Sequence, residues 1–170
     1  MSSVLQQKLE ATSIAAWQAR LIVKSAAILA DFVKSTREDR LRWQPSIDEN
    51  SKTRSVLEQV GECIFANERF CQILLGDAPP RPPENWDTFE GAEDAVQKLV
   101  ESANRLAELV GAMDSAALAR DYQTHRGAMP GALAIQFPVR NMTYHMGQIN
   151  MIQLLYGDTE FHITDEFTSL

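Results

Sequence analysis

Apolar residues recur at spacings of three and four along four long stretches of this chain, and no set of segments reads as paired strands. That rhythm is the period of an α-helix with one buried side, and it confines the chain to helix-on-helix packing. In residues 3–34 the series Ile14, Trp17, Leu21, Ile28 and Phe32 runs without Gly or Pro. The spacing predicts a second helix over 53–75, where Val56, Val60, Cys63, Asn67, Phe70 and Leu74 form a seam and Gly76 is the stop. A third is expected over 88–113, with Ala95, Leu99, Ala103, Leu106 and Val110 as its stripe and Asp87 or Thr88 as its cap. The last is expected over 130–156, ending at Gly157, with Pro130 in its first turn and Pro138 kinking or restarting it.

The breaks between these stretches are as informative as the stretches. The step Trp43-Gln44-Pro45 lies in a polar segment, 35–52, that is not helix interior. Ala78-Pro79-Pro80-Arg81-Pro82-Pro83 is a stiff, extended connector, which favours a long crossover over a tight helical hairpin. Residues 114–129 are less regular. Arg120 to Thr124 reads as a short extended piece with no obvious partner. The expectation is an all-α four-helix bundle in one domain spanning 1–170.

Composition narrows the function classes. A net charge of −7 argues against nucleic acid as the main partner. The arginines at 37, 40 and 42 are interleaved with Glu38 and Asp39, as on a solvated turn. No run is long and apolar enough to span a membrane, and no basic segment followed by an apolar core opens the chain, so the cytoplasm is the default. Cys63 and Cys71 lie eight residues apart on one predicted helix, roughly 12 Å of rise, too far to pair.

The chemistry concentrates in Asn141-Met142-Thr143-Tyr144-His145-Met146-Gly147-Gln148. Met142, Met146, Ile149 and Tyr156 form the apolar stripe of the last helix, and Asn141, His145, Gln148 and Ile152 flank it. His145 is thus expected at the edge of the core. A neutral imidazole there can ligate a metal through one nitrogen while an acceptor holds the other. It can equally be a core-edge histidine with a hydrogen-bond partner. His125, His162, Asp121 and Asp165 fall in segments that periodicity does not place. The tryptophans at 17, 43 and 86 read as packing residues, with a pocket mouth as the alternative.

Trp43-x-Pro45, Ser55-Val56-Leu57-Glu58-Gln59-Val60-Gly61-Glu62, Leu74-Leu75-Gly76 and His145-Met146-Gly147-Gln148, in that order and spacing, resemble the DinB-like (damage-inducible) four-helix bundles over about 43–157. The resemblance implies an up-down-down-up bundle with its long crossover between helices 2 and 3, where the Pro-rich connector lies. It also implies a divalent metal, often nickel or zinc, held by one histidine of the second helix and a His-x-x-x-His pair of the fourth. By position those ligands fall at Glu62, Asn141 and His145, so one histidine of three is present. Gln148 matches the family's glutamine, and Met146 replaces an arginine. An O,O,N set suits manganese or iron(II) better than zinc. On the helical wheel Glu62 lies nearly opposite the apolar seam, sharing a side with Glu58 and Arg69, as on a solvated face. Cys63 points closer to the core and is the alternative contributor, or simply a buried hydrophobe. The implied function is a divalent-metal-dependent enzyme of thiol-transferase or hydrolase type, probed through an unknown small-molecule ligand and expected as a homodimer. The alternative is a non-catalytic bundle that has lost the metal and binds a ligand or protein.

Overall fold

The structure is a computed structural model that describes residues 14–46, 53–160 and 162. Four long helices dominate it: α1 (Ile14–Ser35), α2 (Val56–Leu75), α3 (Ala92–Gly111) and α6 (Phe137–Leu155). Between α3 and α6 lie a short helix α4 (Ser115–Ala119), strands β1 (Asp121–Thr124) and β2 (Gly127–Pro130), and a single turn α5 (Gly131–Ala134). The chain is therefore mostly helical with one small antiparallel hairpin, in which Tyr122 pairs with Met129.

α1 and α2 each pack against both α3 and α6. Their stripes meet in one core that includes Ile22, Leu29, Val60, Leu99, Leu106 and Ile149. Each such side chain contributes roughly 1.5–3 kcal/mol relative to exposure. Particular contacts tie the ends together. Gln18 near the start of α1 donates to the Ile135 carbonyl just before α6. Gln153 near the end of α6 donates to the Phe32 carbonyl near the end of α1. Asn67 of α2 donates to Ser102 of α3 at 3.0 Å inside the core.

Helix starts depart from the sequence expectation in instructive ways. The 53–75 helix begins at Val56, because Ser55 closes a capping box with Glu58: its hydroxyl accepts from the Glu58 N–H and the Glu58 carboxylate accepts from the Ser55 N–H. Neither Asp87 nor Thr88 caps the third helix, which starts at Ala92 behind Gly91. Asp87 is engaged elsewhere, in an ion pair with Arg42 at 2.8 Å and as acceptor for the Phe89 N–H. Gly76, at φ 82°, ends α2 as expected.

The last helix is not continuous from Pro130. That residue closes β2, α5 makes one turn, and α6 restarts with Pro138 in its first turn, where a missing N–H costs nothing. The extended piece at 121–124 does find a partner, in Gly127–Pro130. The Thr124 hydroxyl donates to the Gly127 carbonyl and accepts from the Arg126 N–H, and Gly127 takes φ 101°. Residues 3–13 of the 3–34 expectation, and Asp165, lie outside the described residues.

Gly61 has a packing role. The carbonyl of Trp86 lies directly against it, where a Cβ would collide with that oxygen. This lets the connector that follows α2 fold back onto the helix, with Trp86 edge-on to Phe65 at 5.4 Å.

Candidate functional site

α2 and α6 face each other around His145. The imidazole is 3% exposed, deeper than a core-edge position. Its Nδ1 lies 3.4 Å from Gln59 Oε1, and its Nε2 lies 3.5 Å from Glu62 Oε2. The Gln59 amide is oriented by its own Nε2–H, which donates to the Arg54 carbonyl. Its oxygen is therefore the atom turned to His145, an acceptor that favours the tautomer with the proton on Nδ1. In a neutral ring this leaves the Nε2 lone pair facing the Glu62 carboxylate.

The ring is neutral. Burial pulls the His145 imidazole down to about 4, against the opposing pull of Gln148, and the Arg54 guanidinium adds a smaller push in the direction of burial. The Glu62 carboxylate 3.5 Å away would ordinarily favour the imidazolium. Arg54 is ion-paired to that carboxylate and offsets its pull.

Glu62 is not on a solvated face. Its side chain is 28% exposed, and Oε2 is buried between Arg54 and His145. The wheel misplaces it because α2 has two neighbours, α3 and α6, and around His145 the contact with α6 is made through the polar side chains Gln59 and Glu62. Asn141 Oδ1 and His145 Nε2 are buried atoms with no hydrogen-bond partner, and Glu62 Oε2, likewise buried, has the ion pair with Arg54.

Two cavities share Glu62 as a wall. One, of about 530 Å³, is lined by Arg54, Gln59, Glu62, Tyr144, His145 and Gln148 among others. Gln148 donates to the Tyr144 hydroxyl at 3.0 Å along its rim. The other, of about 360 Å³, takes in Glu62 and Asn141 together with Arg69, His125 and Arg126. So Glu62, His145 and Gln148 share one cavity, and Asn141 joins Glu62 on the other side. Cys63 lines neither, is fully buried, and has its thiol pushed up by desolvation, so it is a core residue. Cys71 is free as well.

Of the unplaced residues, His125 sits in the β1–β2 turn, Asp121 opens β1, and His162 pairs with Asp158 at 2.8 Å. Trp43 packs edge-on against Tyr156, and Trp86 lines the smaller cavity. Sequence reasoning passed over Arg54 and Gln59. Gln59 precedes Glu62 by three residues and shares its side of α2, a signal available once that side is read as facing α6.

A helical bundle with a buried histidine–carboxylate pair between two of its long helices defines the class. The chain belongs to the DinB superfamily, whose family model matches residues 21–149. No curated protein matches the chain. Among the described residues, no group of three or more His, Cys, Asp or Glu side chains is placed to hold a metal, and no helix is long and apolar enough to cross a membrane.

Proposed function

We propose that the chain is a cation-dependent member of the superfamily, in which Glu62 and His145, with Asn141 as a third ligand, hold one divalent ion and present it to a small molecule in the α2–α6 cavity. The observation that carries this is the buried meeting of His145 Nε2, which has no hydrogen-bond partner, with Glu62 Oε2 3.5 Å away, an oxygen whose one cation is the Arg54 guanidinium. Buried lone pairs that face one another call for a cation or a shared proton. The donor chemistry, a carboxylate and an amide oxygen with one imidazole nitrogen, suits a harder ion such as manganese or iron(II) better than a thiolate-type zinc site would, and by itself admits manganese, iron, nickel and zinc alike.

A bound ion would supply Lewis-acid polarisation of a substrate thiol or water, in keeping with a thiol-transferase or hydrolase. The chain's own residues prepare that role. Gln59 fixes the tautomer of His145, burial keeps the ring neutral, and Arg54 must withdraw from Glu62 for a cation to enter. Tyr144 and Gln148 border the cavity where a ligand would be oriented.

The reading includes an up-down-down-up bundle with the Pro-rich crossover between helices 2 and 3. It is supported by the Gln18–Ile135 and Gln153–Phe32 bonds, which fit α1 and α6 running in the same sense. The His145–Gln59 and Phe70–Phe137 contacts fit α2 opposed to α6. It also includes a cytoplasmic location and a homodimer, for which the exposed Tyr144, Met151, Leu154 and Leu155 of α6 are the support.

A second reading rests on Arg54. Its guanidinium already neutralises Glu62, and a permanent internal cation would leave a non-catalytic bundle that binds a ligand or protein. Calorimetric titration of manganese into protein purified without a His-tag separates the two. The first expects one-to-one binding, lost in His145→Ala and tightened in Arg54→Gln. Absence of binding in both wild type and Arg54→Gln overturns it, and binding in Arg54→Gln alone favours the second.

A further inference from the structure

The smaller cavity has features the cation reading does not use. Its walls are largely aromatic. Phe70 and Phe137 stack with centroids 6.0 Å apart, and Trp86 stands edge-on to Phe65. The charged and titratable groups that line it are Glu62, Arg69, His125 and Arg126. The carboxylate of Glu62 is engaged by Arg54. Neither Arg69 nor Arg126 is ion-paired to a carboxylate among the described residues. Arg69 Nε is buried with no acceptor, and the guanidinium lies over the Phe65 ring at 5.9 Å. Arg126 lies over the Phe137 ring at 5.8 Å and donates its Nε–H to His125 Nε2 at 3.4 Å. His125 is held down by burial and then by both arginines, which registers the positive potential of the place.

Two uncompensated guanidinium groups converge on one cavity in a chain of net charge −7. Arg69, with its Nε buried, is a partly desolvated cation without a counter-charge, which is costly, while Arg126 reaches the cavity from the exposed hairpin turn, and the planar Arg fork matches a carboxylate. The hairpin fixes the geometry, because the Thr124 bonds and the positive φ of Gly127 set the turn that carries His125 and Arg126. We propose that this cavity binds a small carboxylate carried on a flat aromatic body, the anion between Arg69 and Arg126 and the ring among Phe65, Phe70, Phe137 and Trp86. Glu62 and Asn141 stand in the wall it shares with the cation site, but the anion site itself needs no metal, and titration with EDTA present tests it apart from the cation reading.

Benzoate is the probe, titrated by calorimetry in low salt with EDTA present. Saturable one-to-one binding is expected, weakened about tenfold or more in Arg69→Ala and in Arg126→Ala, as for loss of a charged hydrogen bond. Arg69→Lys keeps the charge and is expected to fall between, while Arg20→Ala, on the exposed side of α1, is expected to bind as wild type. Benzamide, lacking the charge, and inorganic phosphate, lacking the ring, are each expected to bind at least about tenfold more weakly. Circular dichroism checks that each variant is folded. Absence of saturable binding, equal binding of benzamide or phosphate, unchanged binding in both folded alanine variants, or binding only when a divalent ion is added would overturn the assignment.

Discussion

His145 Nε2 and Glu62 Oε2 stand 3.5 Å apart, while the other ring nitrogen stands 3.4 Å from Gln59 Oε1, an acceptor that draws the ring proton to that far side. Gln59 is thus the residue that decides what the pair can do. Replacing it by Leu removes the acceptor for Nδ1–H and frees the ring to exchange tautomers. The expected outcomes are a loss of about 1–3 kcal/mol in urea unfolding, the cost of a buried unpaired donor, and manganese binding weakened roughly 10–100-fold. A Gln59→Leu variant that binds manganese as wild type does would remove Gln59 from this role.

The same burial makes stability depend on pH. The imidazole sits at about 4 in the fold against an ordinary value of 6.5, so between those limits the unfolded chain binds the proton and the folded one does not. Stability from this group is complete above 6.5 and is lost as pH falls towards 4, by about 3 kcal/mol in all. Comparing unfolding of wild type with His145→Gln at pH 7.5 and pH 4 isolates it from the carboxylates. The gap between the two proteins should shift in favour of the variant at the lower pH. A constant gap would show that the ring does not stay neutral.

Much of the fold was legible because its signals are local. The spacing of Ile28, Phe32, Leu99 and Ile149 and the stop at Gly76 need no knowledge of neighbours, although Ile14 of the expected first stripe is exposed and Ile22 and Leu29, outside that stripe, are the deeper residues. What was not legible depends on them. Asp87 reads as a helix cap until Arg42, forty-five residues away, is seen to hold it. Strand β2, with Gly and Pro in four residues, carries no alternation and is a strand only because β1 lies beside it. His145 was found on its flank of the helix. Glu62 was named by likeness but placed in solvent, since an apolar wheel detects apolar interfaces and α2 meets His145 through polar atoms.

Gly61 tests how the connector is seated. Gly61→Ala drives a methyl group into the Trp86 carbonyl, so either the backbone at Trp86 or the helix must move. An overpacked contact of this kind costs typically 1–3 kcal/mol. A lowered melting temperature should come with a change in tryptophan fluorescence, because Trp86 loses its seat against Phe65. Benzoate affinity should fall too, since the same ring walls that cavity. Unaltered stability would mean that the connector is not held by this contact.

Gln153 closes the far end of the bundle. The residue is fully buried, and its Nε2 lies 3.0 Å from the Phe32 carbonyl, 3.0 Å from Ser35 Oγ and 3.1 Å from Thr36 Oγ1. α1 has its last carbonyls here, and that of Phe32 accepts from the Ser35 and Thr36 hydroxyls as well as from a donor of another helix. The amide of α6 supplies one, so a single side chain both caps α1 and joins the two helices. Gln153→Leu keeps most of the volume and removes the donor, leaving the Phe32 carbonyl without the α6 bond. The expected loss is about 1–3 kcal/mol, with faster amide exchange at the end of α1 while the His145 region, about two turns away along α6, keeps its cation affinity. Equal loss of exchange protection at both ends would mean that the bundle opens as one unit and that Gln153 does not act as a local clamp.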